Sequence, residues 1–258
     1  MASPAHTLTV THVEHYTESY FRLRTTRPPG LKFVSGQFIM MGLAIDTGPL
    51  MRAYSIASPV WDEELEFYSI IIQDGALTSR LQHIKVGDEV IISAKAVGSL
   101  TLRGLKGGGK RLFMLSTGTG LAPFASLIRD EEVFETFDQV IVTHTCRYEK
   151  DLQYGFDRVA EAKECPLVGE LATQKLIHYP TITREPYKYE GRITNLLSSG
   201  KAFEDLGIAG FDPETDRAMI CGSHAMLLDT QKVLDAVNMT RGSLSRPGGY
   251  VWERAFTG

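Results

Sequence analysis

The stretch that decides the fold is LFMLSTGTGLAP, residues 112–123. An apolar run typical of a buried strand leads into a turn with Gly118 and Gly120, and Pro123 suits the first turn of a helix. Glycines let the backbone approach phosphate groups, and the free N–H groups of a helix start attract negative charge. The pattern G-x-G-x-x-P matches the dinucleotide fingerprint G-x-G-x-x-G only in part. On its own it fits a phosphate-binding turn and an ordinary strand–turn–helix connection equally well.

Composition excludes several classes of protein. The 258 residues, 43% hydrophobic and 22% charged, are typical of a globular chain with two modest domains or one large one. A formal net charge of −4 disfavours a general nucleic-acid binder, which needs a basic surface. No apolar run approaches the ~20 residues that cross a bilayer, and residues 1–6 lack the pattern of a secretory signal. Cys146, Cys165 and Cys221 share no metal or disulfide spacing and favour a reducing compartment, so we expect a cytoplasmic protein.

The first part of the chain has the pattern of an all-β domain. Short alternating or apolar segments bounded by Gly, Pro or Asp predict strands near residues 8–13, 20–24, 37–43, 52–57, 65–72 and 89–94. Strands at this spacing predict a small antiparallel β-barrel. One helix interrupts them, because Leu77, Leu81 and Ile84 recur at helical spacing. We therefore expect a first domain over residues 1–102.

The pattern changes after the Gly/Lys-rich segment 103–110, which is the predicted linker. Beyond it, strands and helices alternate. The predicted strands are 111–116, 139–145, 177–183, 217–221 and 250–254, and the predicted helices are 123–130, 151–163, 193–199 and 224–238. This alternation predicts a doubly wound α/β domain with a parallel sheet over residues 111–258.

Five motifs occur in order along the chain: RAYS at 52–55, GALTS at 75–79, GTGLAP at 118–123, CGS at 221–223 and ERAF at 253–256. An isolated R-x-Y-S is common in sheets, but the turn at 75–79 adds a second candidate diphosphate site. Together the motifs resemble the bacterial-type ferredoxin (flavodoxin)–NADP(H) reductases over essentially the whole chain. The resemblance implies an oxidoreductase with FAD in the barrel and NADP(H) in the α/β domain, exchanging electrons with ferredoxin or flavodoxin. We expect a monomer that binds neither nucleic acid nor membrane.

The resemblance assigns residues to the flavin. It implies that Arg52 pairs with the FAD diphosphate, that Tyr54 lies flat against the isoalloxazine and that Ser55 lies near flavin N5. A flavin needs an aromatic face and hydrogen-bond donors near N5, because the protein tunes chemistry that belongs to the cofactor. The implied FAD set is Arg52, Ala53, Tyr54, Ser55, Tyr68, Gly75, Ala76, Leu77, Thr78, Ser79, Ala255 and Phe256.

Arginines favour NADP(H) as the second nucleotide. In Rossmann-like domains an acidic residue after the second strand binds the ribose 2′-OH of NAD, whereas arginine accommodates a 2′-phosphate. Here the predicted strand 139–145 is followed by Arg147, and no acidic residue lies between the end of that strand and Glu149. Arg184 and Arg192 resemble the family's 2′-phosphate site, although each alone also fits a solvated surface residue. The implied NADP(H) set is Thr117, Gly118, Gly120, Arg147, Thr183, Arg184, Arg192 and Gly222.

Four residues are candidates for the hydride-transfer site: Ser55, Cys221, Glu253 and Ala255. Cys221 ends a strand where the nicotinamide would lie, but most free cysteines are simply small buried hydrophobes. Glu253 aligns with an acidic residue that the family keeps near the flavin, and it also fits an ordinary strand-terminal charge. Ala255 stands where plant-type members have a tyrosine stacked on the flavin, so that bulky gate is missing.

Cysteine and histidine spacing bears on two alternative functions and on a metal site. A reductase component of an oxygenase normally carries an iron–sulfur domain, whose C-x4-C-x2-C spacing is absent here, although a separate ferredoxin could take its place. A non-catalytic flavin-binding subunit usually has a C-terminal cysteine cluster, which this sequence lacks. His12 and His15 point to opposite faces of a strand, and His144 and Cys146 have no second pair, so we expect no metal.

Overall fold

The computed structural model describes residues 5–255, in which two sheets follow one another along the chain. The first sheet contains β1 (His6–His15), β2 (Tyr20–Thr26), β3 (Phe38–Ile45), β4 (Gly48–Ser55), β5 (Glu64–Ile70) and β6 (Glu89–Ile92). Its strands are all antiparallel, in the spatial order β4-β3-β6-β1-β2-β5. A single helical turn, α1 (Thr78–Leu81), lies between β5 and β6.

The first sheet curls back on itself. Ala57, just after β4, donates its N–H to the carbonyl of Glu66 on β5 at 2.8 Å, which brings together the two ends of the strand order. Along β5 the side chains alternate, because successive residues of a strand point to opposite faces. Leu65 and Phe67 pack inside the barrel, whereas Glu66 and Tyr68 face the second sheet. The predicted antiparallel barrel is confirmed.

The second sheet is parallel. Its strands are β7 (Arg111–Thr117), β8 (Gln139–Cys146), β9 (Leu176–Ile182), β10 (Asp216–Gly222) and β11 (Tyr250–Arg254), in the order β11-β10-β7-β8-β9. Leu112 and Met114 of β7 pack into one apolar cluster, and Phe113 and Leu115 pack into another on the opposite face. Helices cover both faces, as a parallel sheet requires. This confirms the predicted doubly wound fold.

The helices differ more from prediction than the strands. They are α2 (Ala122–Leu127), α3 (Glu131–Thr136), α4 (Gln153–Glu164), α5 (Gly169–Lys175), α6 (Ile193–Ser198), α7 (Lys201–Leu206) and α8 (His224–Ala236). Neither α3, α5 nor α7 was predicted, because six or seven residues are too few to establish a helical period. The helix predicted over 123–130 ends at Leu127, and Asp130 caps α3 by accepting the Glu132 N–H at 3.2 Å.

A crevice forms where the order of the second sheet reverses. The central strand β7 has β8 on one side and β10 on the other. The chain segments that follow β7 and β10 therefore diverge at the carboxyl edge of the sheet. Doubly wound folds bind ligands at this point. A Cβ on Gly120 would overlap the carbonyl oxygen of Cys221, and one on Gly222 would overlap Thr117 Oγ1. Only glycine at these two positions lets the turns pack this closely.

The two domains share one apolar core. Tyr20, Ala57 and Tyr68 of the barrel belong to the same buried cluster as Leu121 and Tyr154 of the α/β domain. Such packing fixes side chains as tightly as a domain interior does. The domain limits at residues 102 and 111 stay predictions. Among residues 5–255, no helix is both long and apolar enough to cross a membrane.

Candidate functional site

Two adjacent cavities lie between the barrel and the carboxyl edge of the parallel sheet. The smaller, of about 180 Å³, is bounded by β4 and β5 on one side and by β10 and β11 on the other. The larger, of about 810 Å³, follows the crevice between the turns after β7 and β10. Ile70, Thr119, Arg254 and Ala255 line both cavities. A ligand in one cavity therefore lies against a ligand in the other.

The smaller cavity suits a flat aromatic ring. Ala53, Tyr54, Ser55 and Tyr68 of the implied FAD set line it. The Tyr54 ring is buried and its hydroxyl lies 3.2 Å from Ser69 Oγ, so the ring is held in one orientation. An aromatic side chain with hydroxyls around it offers both the stacking face and the polar contacts that an isoalloxazine requires.

Ala255 of the implied FAD set lines both cavities, whereas Arg52 and residues 75–79 line neither. Arg52 immediately precedes the lining residue Ala53, and its guanidinium donates to the Met51 carbonyl at 2.9 Å. A tight turn leads into residues 75–79, in which the Gly75 N–H donates to the Ile72 carbonyl at 2.9 Å, and the Ser79 N–H donates to the Gly75 carbonyl at 3.1 Å. Phe256 lies outside the described residues. The FAD contacts of these residues stay predictions.

The larger cavity has the features of a nucleotide crevice. Gly118 has a φ of +52°, a left-handed conformation that favours glycine, and it lines the cavity with Thr117. Opposite them, the 13-residue helix α8 begins after Ser223, whose hydroxyl accepts the Met226 N–H at 3.3 Å. The start of such a helix carries partial positive charge and favours phosphate. The implied set therefore fits a dinucleotide here.

Cationic side chains gather at one end of this cavity. Arg147 and Arg192 line it and are exposed to solvent. Arg184 does not line it, but its N–H donates to the Arg147 carbonyl at 3.0 Å, so its backbone is adjacent. Thr183 of the implied set also lines the cavity. The arginines come from the loops after β8 and β9 and from the start of α6, and only the fold brings them together.

Sequence reasoning missed several residues that line the larger cavity: Tyr20, Lys150, Asp151, His224 and Asp229. Lys150 also pairs with Glu18 of the barrel at 2.7 Å. These residues lie in no motif, and nothing in a single sequence separates them from ordinary surface positions. Tyr20 is the informative omission, because it belongs to a barrel strand and still lines the crevice of the other domain.

The four hydride-transfer candidates converge on the smaller cavity. Ser55, Cys221, Glu253 and Ala255 all line it. Cys221 and Glu253 are opposite each other on β10 and β11. Burial raises the pKa of the Cys221 thiol, and Glu253 raises it further, so the thiol keeps its proton.

The chemistry of Glu253 is set by its buried position. Its carboxylate accepts the Ser99 N–H at 2.6 Å. Burial raises the pKa of Glu253 above its usual 4.5, and the Ser99 and Leu100 hydrogen bonds only partly oppose this. The Ala255 N–H donates to the Gly222 carbonyl at 3.0 Å, which fixes the end of β11 against the crevice. Among residues 5–255, no three His, Cys, Asp or Glu side chains are close enough to hold a metal ion.

A buried histidine supports the glycine turn. His144 Nε2 lies 3.1 Å from the Gly118 carbonyl, and since a carbonyl only accepts, Nε2 carries the proton. Burial lowers the pKa of His144 to about 3, so the ring is neutral at physiological pH. Burial also lowers the pKa of the nearby His178 to about 4. His144 thus holds the carbonyl of a residue that lines the larger cavity.

A barrel cavity with an aromatic wall, joined to the crevice of a doubly wound sheet, defines a two-domain flavin- and nicotinamide-dependent oxidoreductase. Family models agree: one described as an oxidoreductase FAD-binding domain matches residues 7–99, and one described as an oxidoreductase NAD-binding domain matches residues 114–232.

Similar proteins narrow this class. The flavodoxin/ferredoxin–NADP reductase of Rhodobacter capsulatus is 56% identical over 251 residues, covering 97% of this chain and 93% of that protein. The ferredoxin–NADP reductase of Azotobacter vinelandii is 49% identical and covers 96% of each. The crystal structure of a ferredoxin NADP⁺ reductase from Neisseria gonorrhoeae with bound FAD and NADP superposes with a TM-score of 0.87, at 29% identity, over 97% of this chain and 98% of that one.

This chain belongs to the ferredoxin (flavodoxin)–NADP reductase family. It is an FAD- and NADP(H)-dependent oxidoreductase, so the predicted family, enzyme class and cofactors are confirmed. The roles of individual site residues stay predictions.

The buried histidines make stability depend on pH. The unfolded chain binds protons on His144 and His178 below about pH 6.5, and the folded chain resists this down to about pH 3 to 4. The free energy of unfolding therefore falls on acidification through this window, by about 1.4 kcal/mol per pH unit for each histidine. The glutamine amide in His144→Gln can still donate to Gly118. Urea unfolding of this variant between pH 6 and 4.5 should give a free energy of unfolding that changes with pH by about 1.4 kcal/mol per pH unit less than in the wild type.

The exposed His6→Gln is the matched control and should follow the wild type. Parallel curves for wild type and His144→Gln would contradict a neutral, buried His144.

Proposed function

We propose that this chain transfers a hydride between NADP(H) in the larger cavity and FAD in the smaller one, and single electrons between FAD and a ferredoxin or flavodoxin. The observation that carries the proposal is the junction of the two cavities at Thr119 and Ala255. Bound FAD supplies the conversion from a two-electron to a one-electron carrier. Everything else that the reaction needs from the protein is binding, orientation and proton control.

Each wall of the smaller cavity has a separate task in this proposal. Tyr54 provides the surface on which the flavin ring rests, and the Ser55 hydroxyl donates a hydrogen bond to the ring. The Cys221 thiol, kept protonated by burial, presents an uncharged surface to the nicotinamide. Glu253, whose pKa is raised, is suited to hold or release a proton as the charge of the flavin changes.

On the nucleotide side, the backbone of residues 117–120 and the start of α8 bind the NADP(H) diphosphate. Arg147, Arg184 and Arg192 bind its 2′-phosphate, since a guanidinium donates two parallel hydrogen bonds to a phosphate group. On the barrel side, Arg52 and residues 75–79 bind the FAD diphosphate. Arg52 is next to Ala53, which lines the smaller cavity, and residues 75–79 follow β5, which also lines it. These positions support the assignment.

We also infer that the chain acts as a monomer in the cytoplasm. Both cavities are formed by residues of one chain, so no second copy is needed to complete the site. The three cysteines are buried and form no disulfide, which suits a reducing compartment.

The arginines provide the test of the nucleotide assignment. Arg147→Ala and Arg192→Ala should each raise KM for NADPH about tenfold or more, since a hydrogen bond between charged groups contributes about 1.5–3 kcal/mol. KM for NADH should change little, because NADH has no 2′-phosphate. Arg184→Ala should follow the same pattern. The measurement is steady-state reduction of ferredoxin or flavodoxin with each nucleotide.

Arg246→Ala, at an exposed position away from both cavities, is the control for loss of surface charge. Equal changes in KM for both nucleotides would remove the arginines from 2′-phosphate recognition.

Ala255 provides the test of the junction. Ala255→Tyr should place a ring between the two cavities, where it competes with the nicotinamide for the flavin face. Rapid mixing of the FAD-loaded variant with NADPH should show slower flavin reduction with unchanged retention of FAD. Ala255→Ser, which adds one atom, should behave like wild type. Unchanged reduction kinetics in Ala255→Tyr would mean that hydride transfer occurs elsewhere.

A further inference from the structure

Three tyrosines form a stack that passes between the domains and touches both cavities. Tyr68 of β5 and Tyr154 of α4 lie nearly parallel, with ring centroids 3.8 Å apart and an angle of 8° between their planes. Tyr20 of β2 also stacks on Tyr68, with ring centroids 5.6 Å apart and an angle of 22° between their planes. Tyr68 lines the smaller cavity and Tyr20 lines the larger one, beside Gly118. Tyr154 is fully buried and lines neither.

A buried ion pair fixes the inner end of this stack. Arg158 Nη1 of α4 lies 3.0 and 2.9 Å from the two carboxylate oxygens of Glu66 on β5, and Nη2 donates to Glu161 on its own helix at 2.5 Å. The Tyr154 hydroxyl donates to the same carboxylate at 2.8 Å. Glu66 is 1% exposed and Arg158 2%. Burial alone would raise the pKa of Glu66, but Arg158, Arg129 and Arg22 hold it below its usual 4.5, so the carboxylate stays charged.

The pair makes other domain orientations costly. Sliding one domain against the other would separate two buried charges and leave Glu66 with only the longer contact to Arg22, at 3.5 Å. A buried charge that loses a close partner is destabilised. A second contact acts in the same direction, because Arg129 of the α/β domain donates to the Ala57 carbonyl of the barrel at 2.7 Å. Buried ion pairs contribute little net stability but strongly penalise misalignment.

We propose that Tyr154, held by Glu66 and Arg158, is a positioning residue that sets the spacing between the nicotinamide crevice and the flavin cavity. The inference rests on the proposed function, since it concerns the alignment of the same two ligands. Through Tyr68 and Tyr20, the position of Tyr154 fixes one wall of each cavity. Hydride transfer is steep in distance, and a misplacement of about 1 Å can slow a reaction on the order of 100-fold.

The test separates alignment from stability. In the FAD-loaded protein, Tyr154→Leu removes the stacked ring and Tyr154→Phe removes only the hydroxyl. Anaerobic rapid mixing with increasing NADPH gives the rate constant of flavin reduction and the apparent Kd separately. We expect Tyr154→Leu to reduce that rate constant about 10- to 100-fold, with little change in the Kd of NADPH or FAD. Tyr154→Phe, which keeps the ring, should retain most of the rate.

Phe134→Leu is the matched control, because Phe134 is fully buried in the same apolar cluster but lines neither cavity. It should lower the melting temperature without slowing flavin reduction. If Tyr154→Leu does not fold, Arg158→Lys serves instead, since one ammonium nitrogen cannot replace both Nη1, which contacts Glu66, and Nη2, which contacts Glu161. It should also slow reduction without weakening binding.

Equal rate constants for wild type and Tyr154→Leu, or for wild type and a folded Arg158→Lys, would overturn the positioning role while leaving the proposed function intact. If NADPH does not reduce the flavin of the wild-type protein, the proposed function itself is overturned.

Discussion

The contact between Glu66 and Arg158 is the constraint on which the arrangement of the site depends. One belongs to a barrel strand and the other to a helix of the α/β domain, and both are buried. Each charge also has a partner in its own domain, Arg22 for Glu66 at 3.5 Å and Glu161 for Arg158 at 2.5 Å. The shorter ion-pair contact of Glu66, at 2.9 Å, is the one that crosses the interface, and it forms only when the domains meet in this orientation. That orientation brings β4 and β5 of the barrel against the carboxyl edge of the parallel sheet, where the two cavities join at Ala255. In the proposed function, this fixed interface is what holds the flavin and the nicotinamide against each other.

Local chemistry then follows from burial at the junction. Cys221 is excluded from water, so its thiol keeps its proton, and Glu253 has a raised pKa for the same reason. The protonated thiol carries no charge, and the raised pKa makes the carboxyl easier to protonate than an exposed one. In the proposed function, phosphates bind instead to arginines of the larger cavity and to the start of α8, which carries partial positive charge.

The sequence predicts the fold class well because the signals are local. The apolar run and glycine turn at 112–123, the alternating strands and the R-A-Y-S motif each occupy a few consecutive residues. It predicts the short helices poorly, since α3, α5 and α7 are held by packing rather than by their own periodicity. It also misses the interdomain pair: Glu66 lies in an alternating strand beside Glu64, and such a residue normally faces solvent. Its partner is 92 residues away in another domain.

The same contrast holds within the site. Ser55, Cys221, Glu253 and Ala255 were predicted from motifs and converge on one cavity. Tyr20 and Lys150 line the crevice without belonging to any motif, because their position depends on how the domains pack. Arg184 was assigned with Arg147 and Arg192, but only the latter two line the crevice. A motif identifies a residue near a site, whereas the packing of the domains decides whether its side chain reaches the ligand.

The central claim is that NADPH passes a hydride directly to FAD across the junction of the two cavities. Its most direct test is a single-turnover experiment, in which FAD-loaded protein is mixed anaerobically with NADPH carrying deuterium at the transferable position of the nicotinamide. We expect the visible absorption of the flavin to bleach in a single phase that is slower with deuterium than with hydrogen. A flavin that stays oxidised in the presence of NADPH would contradict the account.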